Sequence, residues 1–131
     1  MQKEFSLLFH YFYDIITIME RWHSKEEHRT GIYFNPNHTD FYNAVNHSQI
    51  YIDKTELIQY TNSVLFGEQK YICVSRPRRF GKSVAANMLT AYYSRGCDSR
   101  KLFQGLKIAT HPDFEKHLNQ YNVIHLNMQN F

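Results

Sequence analysis

The chain has 131 residues and a mass of 15.8 kDa, which is the length of about one domain. Apolar residues make up 43%, aromatic residues 16% and charged residues 21% of it, a mixture that excludes an intrinsically disordered chain. Only 5 glycines and 3 prolines are present, which excludes collagen-like and low-complexity classes. The formal net charge of +3 is mildly basic and does not by itself indicate a nucleic-acid-binding protein.

The first predicted element is a helix within residues 1–30, followed by a polar connector. Its apolar residues recur at helical spacing: Phe5, Leu8, Phe9, Phe12, Ile15, Ile16, Met19 and Trp22. His10 and Asp14 interrupt the run, and no stretch of bilayer-spanning length follows. Polar and bulky residues stand where a signal peptide needs small ones. We therefore expect a buried packing helix, in preference to a partner-docking surface, in a cytoplasmic protein with no membrane partner.

The two cysteines, Cys73 and Cys97, are too few for a disulfide scaffold. Reduced, unpaired thiols are usual in a cytosolic protein, which agrees with the expected location.

Helices and short extended runs follow one another after the connector. In chain order, the predicted elements are a helix from residue 39 or 40 to 46, an extended run at 50–52, a helix to about residue 65, a strand at 71–74, a helix from 84 to about 93, an apolar patch at 102–108, a helix from about 112 to 118 and a strand at 123–126. This order predicts an α/β protein with parallel strands. The two strands, 71–74 and 123–126, are expected to be poor direct neighbours.

The segment between the strand at 71–74 and the next helix approximates the phosphate-binding loop G-x-x-x-x-G-K-[ST]. In such a loop, backbone N–H groups and the start of the following helix face phosphate oxygens, and glycine lets the backbone come close. Lys82 would reach the β- and γ-phosphates, and the Ser83 hydroxyl would bind Mg²⁺. The predicted nucleotide-binding residues are Arg76, Pro77, Arg78, Arg79, Phe80, Gly81, Lys82 and Ser83.

One position departs from the general motif, because Arg76 stands where the first glycine is expected. Arginine resists positive φ, and Pro77 biases Arg76 towards an extended conformation. The charge pattern nevertheless favours an anion site, since residues 70–101 contain eight basic residues and one acid. A basic interaction surface for nucleic acid, with Phe80 and tyrosines stacking on bases, is the alternative interpretation.

Three segments together resemble the predicted AAA-type ATPase family of bacteria. They are Y-I-D-K-T at 51–55, R-P-R-R-F-G-K-S at 76–83 and L-F-Q-G-L at 102–106, in the order found in that family. The resemblance covers residues 31–131 and implies a P-loop NTPase fold that binds ATP and Mg²⁺. Members of the family also have Arg at the position of Arg76. The resemblance further implies that Asp53, Lys54 and Thr55 lie near the nucleotide, although a helix cap is the simpler role for Asp53.

Hydrolysis of ATP needs carboxylates that hold Mg²⁺ and activate water, at the end of an apolar strand after the loop. No such strand follows in this sequence, because the strand at 123–126 ends in the neutral Asn127. We therefore interpret residues 31–131 as the N-terminal part of a longer P-loop domain, incomplete at its C-terminus, whose partner would be the missing ATPase portion. The predicted function is ATP binding with no turnover by this chain alone; an inactive remnant is the other alternative.

Overall fold

The computed structural model describes the backbone of Phe5–Tyr11 and Asp14–Met19, residues 37–127, and side chains from residue 39 to 127. The helices are α1 (Asn37–Asn46), α2 (Glu56–Val64), α3 (Lys82–Tyr93), α4 (Arg100–Phe103), a 3₁₀ helix (Lys107–Thr110) and α5 (Phe114–His117). The strands are β1 (Phe5–Tyr11), β2 (Asp14–Met19) and β3 (Asn122–Asn127).

The N-terminal helix predicted within residues 1–30 is wrong, because two antiparallel strands occupy this region. Phe5 pairs with Met19 and Leu8 with Ile16, and the register shifts at a bulge between Leu8 and His10. The sequence there is apolar nearly all round, so its periodicity fits a strand as well as a helix. Aromatic and β-branched residues, which favour strands, are frequent in both segments, and pairing with a neighbouring strand decides between the two.

The sheet has the order β1-β2-β3, and both pairings are antiparallel. The strand predicted at 123–126 is confirmed as β3, which pairs with β2 from Met19↔Asn122 to Asp14↔Asn127. The predicted parallel sheet is wrong for the described strands. The strand predicted at 71–74 is wrong, because these residues have no helix or strand assignment and do not join this sheet; how such a strand would pair with β3 is therefore not tested.

Helix α3 is the centre of the core. Its second half is buried on every side, from Met88 to Tyr93, while Val84 in the first turn is 37% exposed. The residues that surround it come from all the other described helices and from the approach to β3: Phe41, Ile58, Leu65, Phe103, Ile108, Phe114, Leu118 and Tyr121. Because the C-terminal half is the buried half, the N-terminal end of α3 is left at the surface.

Two adjacent buried tyrosines give the core its internal hydrogen bonds. Tyr92 donates to the Phe114 carbonyl at 2.8 Å, and Tyr93 donates to Asn62 Oδ1 at 2.6 Å. The Tyr93 hydroxyl also lies 2.6 Å from Thr61 Oγ1. Burial raises the pKa of Tyr92 to about 12 and that of Tyr93 well above 10. These satisfied hydroxyls fix α2 and α5 against α3.

Asn119 fixes the C-terminal end of α3. It is in the left-handed region, with φ 55°, and its side-chain amide donates to the carbonyls of Ala91 and Ser94. Its Oδ1 accepts a bond from the Ser99 N–H at 3.1 Å. With its C-terminal end held in this way, α3 is a rigid support for the loop at its other end.

The helices predicted around residues 39–46, 57–65 and 84–93 are confirmed as α1, α2 and α3. The helix predicted from residue 112 is only the single turn α5, which begins after Pro112. The patch at 102–108 is divided between α4 and the 3₁₀ helix.

Candidate functional site

The site begins where the loop at 76–83 enters α3. The chain turns through two residues in the left-handed region, Arg79 with φ 66° and Gly81 with φ 74°. Glycine adopts this conformation without strain, whereas Arg79 carries about 1–2 kcal/mol of strain that the surrounding bonds must offset. Arg76 does not have a positive φ, which agrees with its predicted resistance to that conformation.

Six consecutive backbone N–H groups, those of residues 79–84, donate no hydrogen bond within the described part of the chain. The first N–H of this region with an acceptor is that of Ala85, which donates to the Gly81 carbonyl at 3.0 Å. Unpaired N–H groups at a helix start attract anions, and the helix dipole adds to the attraction. The local sequence is R-R-F-G-K-S with no acid, so the side chains reinforce the same positive potential.

The Lys82 ammonium group closes the loop from the inside. It donates to the Arg76 carbonyl at 2.6 Å and to the Pro77 carbonyl at 3.0 Å. An ammonium group has three N–H donors, so one remains for a ligand. These two bonds hold the beginning of the loop beside its end.

A second ammonium group reaches the loop from a distant part of the sequence. Lys54 Nζ donates to the Phe80 carbonyl at 2.6 Å. It lies so close to the backbone that a Cβ added at Gly81 would be 2.9 Å from it. The positive φ therefore favours glycine at position 81, and a Cβ there would also displace the flexible end of the Lys54 side chain.

The residues on either side of Lys54 bond to the 3₁₀ helix that follows the third sequence segment. Asp53 Oδ2 accepts a bond from the Lys107 N–H at 2.8 Å, and Thr55 Oγ1 accepts one from the Ile108 N–H at 3.1 Å. Asp53 Oδ1 also accepts from the N–H and hydroxyl of Thr55, at 2.8 and 2.7 Å. We call Asp53, Lys54 and Thr55 the bracket, because they join the loop to the 3₁₀ helix.

The hydrogen bonds of the bracket also affect the pKa of the Asp53 carboxyl. Partial burial, the largest single influence, acts to raise the pKa of this carboxyl. The hydrogen bonds from Lys107 and Thr55, together with the charge of Lys107, outweigh burial and leave the pKa below its usual value. Asp53 is thus a structural acceptor, and its predicted role as the side-chain cap of α2 is wrong, since Thr55 takes the cap position and no side chain bonds to the first turn.

A groove of about 410 Å³ adjoins the loop and shares Arg79, Phe80 and Gly81 with it. Its walls are mainly apolar and include Ile50 and Ile52, which are 83% and 70% exposed. The Phe80 ring is 60% exposed at the same place. The residues that line it include no Asp or Glu: Ala44, Ser48, Ile50, Tyr51, Ile52, Lys54, Arg79, Phe80, Gly81, Val84, Ala85 and Met88. Apolar contact area therefore lies directly beside the unpaired N–H groups of the loop.

The segments at 51–55 and 76–83 meet at this site, and the first of them bonds to residues 107 and 108, directly after the segment at 102–106. A family model described as Predicted AAA-ATPase matches residues 37–131, which contain all three segments. The chain belongs to this family. Comparison with curated proteins and with solved structures finds no match. Membership in this family suggests nucleotide and metal use in general. The matched residues include those of the loop, the bracket and the groove.

The structure places the remaining sequence features outside the site. Over residues 39–127, no group of three His, Cys, Asp or Glu side chains could hold a metal ion. Neither Cys73, which is exposed, nor Cys97 forms a disulfide. Of the helices that the structure describes, none has the length and apolar character needed to cross a membrane.

Sequence reasoning missed the partners of the bracket. The acceptors on Asp53 and Thr55 bind backbone N–H groups more than fifty residues away, and every residue except proline has such a donor. The signal that could have found them is the sequence D-K-T just before a helix, where three polar side chains stand together.

Proposed function

We propose that this protein binds a nucleoside triphosphate, ATP, with its phosphates at the loop of residues 76–83. The observation that carries the proposal is the run of six unpaired N–H groups at the start of a 12-residue helix. Two ammonium groups, those of Lys54 and Lys82, stand at the same loop. Together these groups offer a compact anion more donors than a single side chain could.

The loop residues have distinct roles in this proposal. The N–H groups of residues 79–84 bind phosphate oxygens, and Lys82 donates its remaining N–H to the outer phosphates. Arg78 and Arg79, both exposed, add positive potential around the site. Arg76 and Pro77 contribute through their carbonyls, which hold Lys82.

Mg²⁺ fits the site through Ser83. Its hydroxyl is exposed, is the first polar side chain after Lys82 in α3, and makes no hydrogen bond within the described residues. A hydroxyl oxygen suits a hard cation such as Mg²⁺, which typically keeps several waters and binds few protein groups when phosphates complete its shell. When bound, Mg²⁺ neutralises phosphate charge.

The nucleoside would lie in the adjoining groove. The groove is within the volume range of small-molecule sites, and Phe80, Ile50 and Ile52 provide flat or apolar contact area. Burying these exposed side chains against a base stabilises the complex by the hydrophobic effect.

Binding rather than hydrolysis is the activity proposed for the chain. The bracket holds Asp53 by three hydrogen bonds, and the groove lining contains no carboxylate. Glu56 and Glu115 pair with Lys107 and Arg100. None of these carboxylates stands at the loop as a water-activating base would.

Nucleotide titration of the wild type and of Lys82→Ala by calorimetry tests the proposal. Removing Lys82 takes away a phosphate donor and two loop bonds, so we expect affinity for Mg-ATP to fall by about a hundredfold. Lys101→Ala is the matched control, because Lys101 is exposed and has no partner within residues 39–127. Equal affinity of wild type and Lys82→Ala would refute the role of Lys82, and no binding by the wild type would refute the function.

A nucleic-acid ligand is the second candidate, since Arg78, Arg79 and Phe80 are all exposed beside one another. A competition experiment separates the two ligands. If a fluorescent oligonucleotide binds at the loop amides, ATP displaces it. If added salt displaces the oligonucleotide and ATP does not, the result favours the basic surface as its binding site.

A further inference from the structure

Lys54 makes a hydrogen bond that the core does not require. The side chain is exposed, and its bond to the Phe80 carbonyl joins two parts of the chain that lie 26 residues apart. Salt-bridge partners of Lys54 are absent within the described residues. A long, flexible lysine loses side-chain entropy when it is held in this way, so an exposed lysine fixed on one loop carbonyl calls for a functional reason.

The neighbours of Lys54 fix its starting point. Asp53 and Thr55 bind the backbone of residues 107 and 108, and Thr55 is fully buried. Lys54 therefore extends from an anchored stretch of backbone towards the loop, and the loop receives support from outside its own sequence segment.

The bond controls the direction of a carbonyl that would otherwise oppose anion binding. The Phe80 carbonyl belongs to the peptide that also carries the Gly81 N–H, so fixing the oxygen fixes the N–H on its opposite side. Lys82 holds the carbonyls of Arg76 and Pro77 in the same way. Lys54 keeps two further N–H donors and a positive charge close to Gly81.

We propose that Lys54 is a positioning residue of the phosphate site, an inference that rests on the proposed function. It holds the Phe80–Gly81 peptide so that the N–H groups entering α3 face the phosphates, and the bracket holds Lys54 in turn. Its contribution is to the polyphosphate part of the ligand and not to the nucleoside.

The experiment measures the affinities of Mg-ATP and of inorganic tripolyphosphate for the wild type and three variants. Lys54→Met removes the ammonium group and keeps the aliphatic chain, Lys54→Arg keeps a charged donor, and Lys101→Met is the matched control with the same loss of charge. We expect Lys54→Met to weaken both ligands by about tenfold or more, Lys54→Arg to recover most of the loss, and Lys101→Met to equal the wild type.

Each other result overturns the proposal. An unchanged affinity in Lys54→Met, with Lys82→Ala still weakened, removes Lys54 and leaves the proposed function intact. A loss for ATP without a loss for tripolyphosphate makes Lys54 a nucleoside contact. A loss that Lys101→Met shares makes the effect one of overall charge. No binding of either ligand to the wild type overturns the function and this role together.

A measurement on the wild type keeps the test independent of how the variants fold. Side-chain amine signals in NMR, from protein labelled with ¹⁵N-lysine, are followed during addition of tripolyphosphate. We expect the Lys54 and Lys82 signals to shift together while the Lys101 signal stays in place. A Lys54 signal that does not move as Lys82 shifts would overturn the proposal.

Discussion

Replacing Asp53 with Asn tests how the bracket contributes to stability while leaving the residues of the loop unchanged. The wild-type carboxylate accepts three hydrogen bonds: Oδ1 takes the N–H and hydroxyl of Thr55, and Oδ2 takes the Lys107 N–H. An asparagine has one acceptor oxygen and one donor NH₂ group. If its oxygen serves Thr55, its NH₂ group faces the Lys107 N–H, so one bond is lost and two donors meet.

The size of the effect follows from this loss. A hydrogen bond to a charged group contributes about 1.5–3 kcal/mol, and solvent around the partly exposed carboxylate argues for the lower end. We therefore expect Asp53→Asn to lower the free energy of unfolding by about 1.5 kcal/mol. For a chain of this length, that corresponds to a fall in melting temperature of about 6 °C.

The assay is thermal unfolding followed by circular dichroism at several pH values. The lowered pKa of Asp53 means that its stabilisation is complete above the unfolded-state value of 3.8 and is lost as pH falls through the folded-state pKa. The difference between wild type and Asp53→Asn should therefore narrow below about pH 4, because a protonated carboxyl resembles the amide. Asp98→Asn is the matched control, since Asp98 accepts only a long, exposed bond of 3.3 Å from the Arg100 N–H. Equal melting temperatures of the two variants at neutral pH would refute the reasoning.

Other predictions concern the buried histidine, the core and the proposed metal ligand. Burial and, to a lesser degree, the charge of Lys116 lower the pKa of His117 below 6.5. As the pH falls, His117 therefore takes up a proton at a higher pH in the unfolded state than in the folded state. The free energy of unfolding should fall as the pH drops from about 7 to 5. His117→Gln should flatten that part of the melting curve against pH, and an unchanged slope would contradict the assignment. Phe103→Ala, at a fully buried ring, should lower the free energy of unfolding by about 3–5 kcal/mol in urea, whereas Phe80→Ala, at a 60% exposed ring, should cost under about 1 kcal/mol. Ser83→Ala should reduce the gain in ATP affinity on adding Mg²⁺ by about tenfold in calorimetry, and a full gain would exclude the hydroxyl as a ligand.

Local sequence was sufficient to predict those elements whose structure is determined by their own residues. The apolar spacing of α3, with Gly81 before it and Lys82 as its first residue, predicted both the helix and the loop at its start, since capping and periodicity act within a few residues. β3 was predicted for the same reason, from a short run of β-branched and apolar residues between polar ones.

Elements that depend on a distant partner were not predictable in this way. The apolar residues at Phe5–Tyr11 and Asp14–Met19 fit the periodicity of a helix and that of a strand. Only the pairing of these segments with each other and with β3 decides for strands. Conversely, Tyr71–Val74 has the composition of a strand but joins no described ladder. Strand propensity measures how well side chains suit a sheet, and it does not provide the neighbour that a ladder needs.

The departure at Arg76 and the position of Lys54 have a common explanation. With arginine where the general motif has its first glycine, the loop makes its left-handed turns later, at Arg79 and Gly81. Arg79 is strained in that conformation, and a strained turn persists only where surrounding bonds determine it. Lys82 supplies such bonds before Arg79, and Lys54 supplies one immediately after it, at the Phe80 carbonyl. A loop that lacks the first glycine thus needs support from outside, which is why the D-K-T segment and the R-P-R-R-F-G-K-S segment belong to one site.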